Sequence, residues 1–140
     1  MNQIKFIVPG TPVPKARPRV TRRGTYTPKK TRAYEQAVYT AWKEQSGVSF
    51  PAGAPLVAYI YAHFPIPSSL SKKRQQELVG KPHTKQRGDL DNVVKSVLDA
   101  LNGCAFPDDC VVCRIHAEKD YMAEPSTEIT IRPYNEEEST

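Results

Sequence analysis

Acid is nearly missing from the first 88 positions of this chain. Glu35, Glu44 and Glu77 stand there against 16 Lys/Arg, a local net charge of +13. Such a surface suits a polyanionic partner, phosphate backbones above all. Long apolar runs are missing too. No stretch approaches the roughly 18 residues a membrane-spanning helix needs. The opening MNQIKFIVPG lacks the charged-then-apolar pattern of a secretory signal, so a cytoplasmic protein without membrane contact is expected. Cysteine is scarce and odd in number, three in 140 residues, which gives no disulfide framework. Glycine is also sparse, 7 against 13 prolines, so extended loops and strand ends should be frequent. No internal repeat is visible.

What is present is a reversal of charge. Residues 89–140 carry 12 Asp/Glu against 4 Lys/Arg, a net of −8. The acidic half opens with Asp89-Leu90-Asp91-Asn92-Val93-Val94-Lys95, continues through Asp99 and reaches Asp108-Asp109. Clustered carboxylates suit hard divalent cations such as Mg²⁺. A chain that joins them to a basic surface is a candidate for metal-assisted chemistry on a nucleic-acid phosphodiester.

At 140 residues with 39% hydrophobic and 25% charged residues, one globular domain with a real core is expected: residues 1–134, with 135–140 as a frayed acidic tail. Ile4 to Pro9 reads as a strand. Residues 10–30, with four prolines and no acid, read as a long exposed loop. From Thr31, a suitable N-cap, a helix places Tyr34, Ala37, Val38, Ala41 and Trp42 on one stripe and stops at Ser46-Gly47. Leu56 to Phe64 alternates as a strand, with Tyr59, Tyr61 and His63 opposite the apolar set. A short basic helix follows Pro67-Ser68-Ser69, and GKPHTKQRG (80–88) forms a second acid-free loop. A helix from Leu90 to Leu101 ends at Asn102-Gly103. Strands at 111–119 and 128–132 close the chain. The order β-α-β-α-α-β-β implies an α+β fold with a mixed sheet of about four strands.

Cys104, Cys110, Cys113 and His116 offer a Cys₃His donor set for zinc, a third functional class. As a strand, however, 111–118 puts Cys113 and His116 on opposite faces. Cys113 is then expected to be a small core residue.

On its helix, Asp89 sits at or beside the N-cap and Asp91 in the first turn, with Lys95 one turn on along the same face. Asp89 and Asp91 can therefore converge at one helix end. Spacing alone does not decide whether Asp109 folds back beside Asp91. Separately, each piece also reads as ordinary structure: a cap, a surface ion pair, a solvated turn. The basic run Lys15, Arg17, Arg19, Arg22, Arg23, Lys29, Lys30 and Arg32, with Lys85 and Arg87 in the second loop, supplies candidate phosphate contacts, or a merely solubilising loop. Tyr26 within it suits stacking on an unpaired base, or merely packing.

The stretch KPHTKQRGDLDNVVKSVLDALNGCAFPDDCVVCRIHAEKDY resembles the signature of the RusA-type crossover-junction endodeoxyribonucleases, which resolve Holliday junctions. The shared features are a Lys-Pro loop, Asp-x-Asp-Asn at a helix start, and a lysine four residues after the second Asp. An Asp-Asp turn and a strand closing in Lys-x-Tyr complete them. The Pro14-Lys15-Ala16-Arg17-Pro18-Arg19 and Tyr26-Thr27-Pro28 segments resemble the family's opening, so the likeness covers roughly residues 5–121. Gly88 departs from it, standing where family members often carry Pro, Arg or Lys. The resemblance implies metal-binding, catalytic roles for Asp89, Asp91 and Asp109, an active-site role for Lys95 and a supporting acid at Asp108. It further implies a homodimer dependent on Mg²⁺ (with Mn²⁺ able to substitute), acting on four-way DNA junctions in recombination and repair, and often phage- or prophage-encoded. The competing class is a non-catalytic basic nucleic-acid-binding domain, which has no reason to present Asp89, Asp91 and Asp109 to phosphates.

Overall fold

The computed structural model describes residues 3–16, 19–26, 28–85 and 88–135, with the backbone alone at Arg19 and Tyr26. Strand β1 (Ile4–Pro9) leads to a short antiparallel ribbon, β2 (Arg19–Thr21) and β3 (Gly24–Tyr26). Helix α1 (Lys29–Gln45), strand β4 (Leu56–Pro65), helix α2 (Lys72–Leu78) and helix α3 (Leu90–Leu101) follow. A 3₁₀ turn at Asp109–Val111 then enters β5 (Val112–Met122), and β6 (Ser126–Pro133) closes the sheet. The sheet order is β1-β6-β4-β5, with β4 and β5 parallel and the other pairs antiparallel. The expected α+β architecture with a mixed four-stranded sheet is what forms.

Both long helices pack together, α1 against β1 and α3 against β4 and β5. The alternation in β4 buries Leu56, Ala58, Ile60, Ala62 and Phe64 and leaves Tyr59, Tyr61 and His63 only half-buried. Phe6, Val38, Leu56, Ile60, Val97, Leu101, Phe106, Ile129 and Ile131 form the centre. Each such side chain contributes about 1.5–3 kcal/mol by leaving water. Tyr34 on α1 shares a buried 2.6 Å hydrogen bond with Thr127 on β6, and burial pushes its phenol up to about 12.

Three expectations need correction. The 10–30 segment is not all loop, because 19–26 pairs as the ribbon. Thr31 does not cap α1: the helix begins at Lys29 after Pro28, and Thr31 lies buried in its first turn with its hydroxyl accepting from the Ala16 amide, 3.3 Å. Proline's fixed φ makes Pro28 a ready helix entry without a side-chain cap. Cys113 is exposed, not core. The register pairs Leu56 with Val112 but Val57 with Arg114, so Cys113 is the extra residue of a bulge, and a bulge breaks the alternation on which its placement relied. Residues 136–140 of the expected tail lie outside the described residues.

Candidate active site

Helix α3 is amphipathic in the plainest sense. Val93, Val97 and Leu101 are fully buried, while Asp91, Lys95 and Asp99 recur at i, i+4 and i+8 along another stripe. Asp89 is the N-cap, as expected. Its backbone carbonyl accepts from the Val93 amide at 3.1 Å, but its carboxylate makes no capping hydrogen bond. An Asp at this position ordinarily commits its side chain to the helix's free N–H groups. Here the carboxylate makes no hydrogen bond among the described residues and stands exposed beside an exposed Asp91. The positive end of the helix dipole favours both as anions. Lys95 is 62% exposed and only 4.0 Å from Asp99, a loose pair that leaves its ammonium available.

The Asp108-Asp109 turn folds back onto α3, but toward its middle and far end. The Asn102 side chain accepts from the Asp109 amide at 3.1 Å, and Asp108 accepts from the Cys110 amide at 3.4 Å. Burial raises the Asp109 carboxyl above its ordinary value. Hydrogen bonding and charge from Asp108 add to this, with Asp99 repelling and Lys95 opposing the shift. Asp109 therefore shares the electrostatic neighbourhood of Lys95 and Asp99. Asp91 and Asp99 are about 12 Å apart along the axis at 1.5 Å per residue. Asp89 and Asp91 are thus adjacent at the helix start, and Asp109 sits further down the same helix. Among the described residues, no three His, Cys, Asp or Glu side chains are gathered closely enough to hold a metal ion.

The basic run is fastened to this same helix start. Val13 accepts from the buried Ser96 hydroxyl at 2.9 Å, and the Lys15 amide donates to the Asn92 carbonyl at 2.8 Å. Residues 13–16 thereby lie across the first turns of α3 and α1. Lys15 faces inward: its ammonium lies 2.6 Å from Glu35 and 3.2 Å from Asp99, with the side chain 16% exposed. Burial draws its pKa down, but those two carboxylates outweigh the effect and leave it raised. Arg22, Arg23, Lys29, Lys30, Arg32 and Lys85 are exposed. Three of these cations crowd the first turn of α1, which carries no acid. The helix dipole disfavours cations there, so they serve something other than the helix. Arg17, Arg87 and the side chains of Arg19 and Tyr26 lie outside the described residues.

The second basic loop is anchored by residues to which the sequence assigned no role. The Gly80 amide donates to the Tyr121 carbonyl at 2.8 Å, the Tyr121 amide to Lys81 at 3.0 Å, and the His83 amide to Lys119 at 3.3 Å. The segment thus runs along the outer edge of β5. The His83 ring stacks on Phe64 (centroids 4.2 Å apart) and tilts against Tyr121 (4.8 Å). Burial lowers its pKa, helped by the charges of Lys119 and Lys85. Gly88 lies against this ring. A Cβ there would come within 2.7 Å of His83 Cε1 and 3.2 Å of Phe64 Cζ, which accounts for a residue without a side chain at this position. Lys119 Nζ donates to the Gly88 carbonyl at 2.8 Å. The Lys-Pro loop and the Lys-x-Tyr strand end were visible as motifs; their contact was not.

Cys104 is half-buried, while Cys110 and Cys113 are exposed. His116 pairs with Glu118 at 2.8 Å on the open sheet face. No described helix is long and apolar enough to cross a membrane.

Comparison with known proteins bears on this arrangement. The family model for endodeoxyribonuclease RusA matches residues 9–132. The chain is also 32% identical, over 139 residues, to the uncharacterized protein YqaN of Bacillus subtilis (strain 168). That alignment covers 94% of this chain and 97% of the relative.

Proposed function

Because the chain belongs to the endodeoxyribonuclease RusA family, we propose that it is a Mg²⁺-dependent, structure-selective nuclease that cuts four-way DNA junctions as a homodimer. One observation carries this reading. The uncommitted Asp89 and exposed Asp91 carboxylates stand at the start of α3, and the Lys15–Asn92 backbone hydrogen bond brings the basic run to the same place. A pure binder gains nothing by presenting two carboxylates where phosphates must lie, because like charges repel.

The donor set fits a hard divalent cation. It is all oxygen, and its first member forgoes the capping bond that would otherwise occupy it. Asp89 and Asp91 would hold the ion at the helix start, joined by Asp109, which stands further along α3 in this structure, and Asp108 would support Asp109. Bound there, a divalent cation supplies charge neutralisation on the phosphate and a more acidic water. In hydrolysis the water oxygen bonds to phosphorus as the bond to the departing sugar oxygen breaks. The exposed Lys95 ammonium would offset the charge that gathers on the phosphate oxygens; protonated, it cannot act as the base. Arg22, Arg23, Lys29, Lys30, Arg32 and Lys85, with Arg17, Arg19 and Arg87, would position the backbone without reading sequence. Lys15 is left out of that set because two protein carboxylates already occupy its ammonium.

The test is incubation with an end-labelled four-way junction and a linear duplex of the same sequence, in Mg²⁺ or in excess EDTA. Junction cleavage in Mg²⁺ alone, with the duplex spared, is expected. Binding without cleavage in every condition would identify a non-catalytic domain. Full cleavage in EDTA would remove the metal from the account.

A further inference from the structure

Helix α3 has an N-cap whose side chain does not cap, so something else must fix where the helix begins. The structure holds it from behind. Lys119 projects from β5 and donates to the carbonyl of Gly88, the residue immediately before Asp89. The His83 ring fills the space on the other side of Gly88, wedged between Phe64 and Tyr121. His83 is itself pinned by its backbone to Lys119. His83, within the basic loop, and Gly88, at its end, are therefore closed on each other at the first carboxylate of the site.

Neither residue is the choice that stability alone would make. Lys119 carries a positive charge to the positive end of a helix, where the dipole opposes it. His83 buries an Nδ1 that has no hydrogen-bond partner among the described residues, and an apolar ring of the same shape avoids that cost. We infer that His83 and Lys119 are positioning residues: together they clamp the Gly88–Asp89 junction, setting the place of the Asp89 carboxylate so that it need not be tied to its own helix. The inference rests on the proposed metal-dependent reading of the site for its catalytic consequence, but not for its structural one. Lys119 acts through Gly88 and touches neither DNA nor metal.

The experiment uses Lys119→Met, which keeps the stem's packing and removes the donor, with Lys119→Arg as the conservative partner and Asp91→Asn as a control. Hydrogen–deuterium exchange on the metal-free proteins reads the clamp directly. Amides across residues 88–94 should exchange several-fold faster in Lys119→Met and return toward wild type in Lys119→Arg, with α1 and β4 unchanged. On a cleaved junction, Lys119→Met should need about tenfold more Mg²⁺ for half-maximal rate, the usual scale when a ligand's support is lost. Its rate at saturating Mg²⁺ and its metal-free junction affinity should stay within about threefold of wild type. Unchanged exchange at 88–94 overturns the clamp. Metal-free junction affinity lost together with rate at every Mg²⁺ concentration also overturns it, by placing Lys119 on the DNA. If Asp91→Asn cleaves like wild type, the reading of the site fails while the exchange result still judges the clamp.

Discussion

Lys15 shows how a single side chain can leave the role its neighbours suggest. It lies in a run of basic residues, yet its ammonium bridges Glu35 on α1 and Asp99 on α3. Lys15→Met leaves two half-buried carboxylates facing each other, so unfolding free energy should drop by about 1–3 kcal/mol. The salt dependence of DNA binding should not change. Urea melts and a salt titration of junction affinity check both; a shallower salt slope would return Lys15 to the DNA. The partners lie far away in the chain, which is why local spacing could not find them. Asp89 was legible because capping is local, whereas its missing capping bond was not. His63 makes the second case. Its Nδ1 lies 2.6 Å from Asp120 and its Nε2 2.9 Å from Glu128, across three strands of the open sheet face. Burial lowers its pKa, but the two carboxylates outweigh that and hold it above 6.5. A raised folded pKa means stability that is complete below the unfolded value and lost as pH climbs through the folded one. Compared with His63→Gln, the wild type should gain about 1–2 kcal/mol near pH 6. That advantage should be lost as pH rises through the raised folded-state pKa. A pH-independent difference would show that the imidazolium is not what holds these strands.

Among the elements, the two long helices and β4 were readable because each follows one period over many residues. Val93, Val97 and Leu101 recur at helical spacing, and Ala58 to Phe64 alternates residue by residue. The misses have equally physical causes. The ribbon at 19–26 is two three-residue strands, too short for a period to emerge. The bulge at Cys113 shifts the phase of β5 by one residue, and nothing local in the sequence announces it. The first turn of α1 carries the clearest prediction at this scale. Lys29 and Lys30 oppose the helix dipole, so Lys29→Ala with Lys30→Ala should leave stability unchanged or slightly higher. Junction binding should weaken regardless of DNA sequence, and the slope of log affinity against log salt should shrink by roughly one unit per lost contact. An unchanged slope would exclude this turn from the phosphate path.

In the whole molecule, the charge asymmetry read from the chain becomes a spatial contrast. The basic run and the acidic helix start belong to distant stretches of sequence, and residues 13–16 hold them side by side. Where Asp109 lies depends on the turn after α3, which sets it near Lys95 and Asp99 and not with Asp89 and Asp91, so spacing alone could not give it. A homodimer should appear as about twice the 15.7 kDa chain mass in light scattering of DNA-free protein, and a strict monomer that still makes paired cuts would refute that assembly. The most direct measurement compares wild type with Asp91→Asn on one labelled junction, reading cleavage in Mg²⁺ and binding without metal from the same preparations. Asn keeps the shape but removes a charge and a strong ligand for a hard cation. Cleavage should fall by orders of magnitude, because the stabilisation lost belongs mainly to the transition state. Metal-free binding should hold or tighten, because one carboxylate no longer repels the phosphates. Near-normal cleavage by folded Asp91→Asn protein would contradict the account.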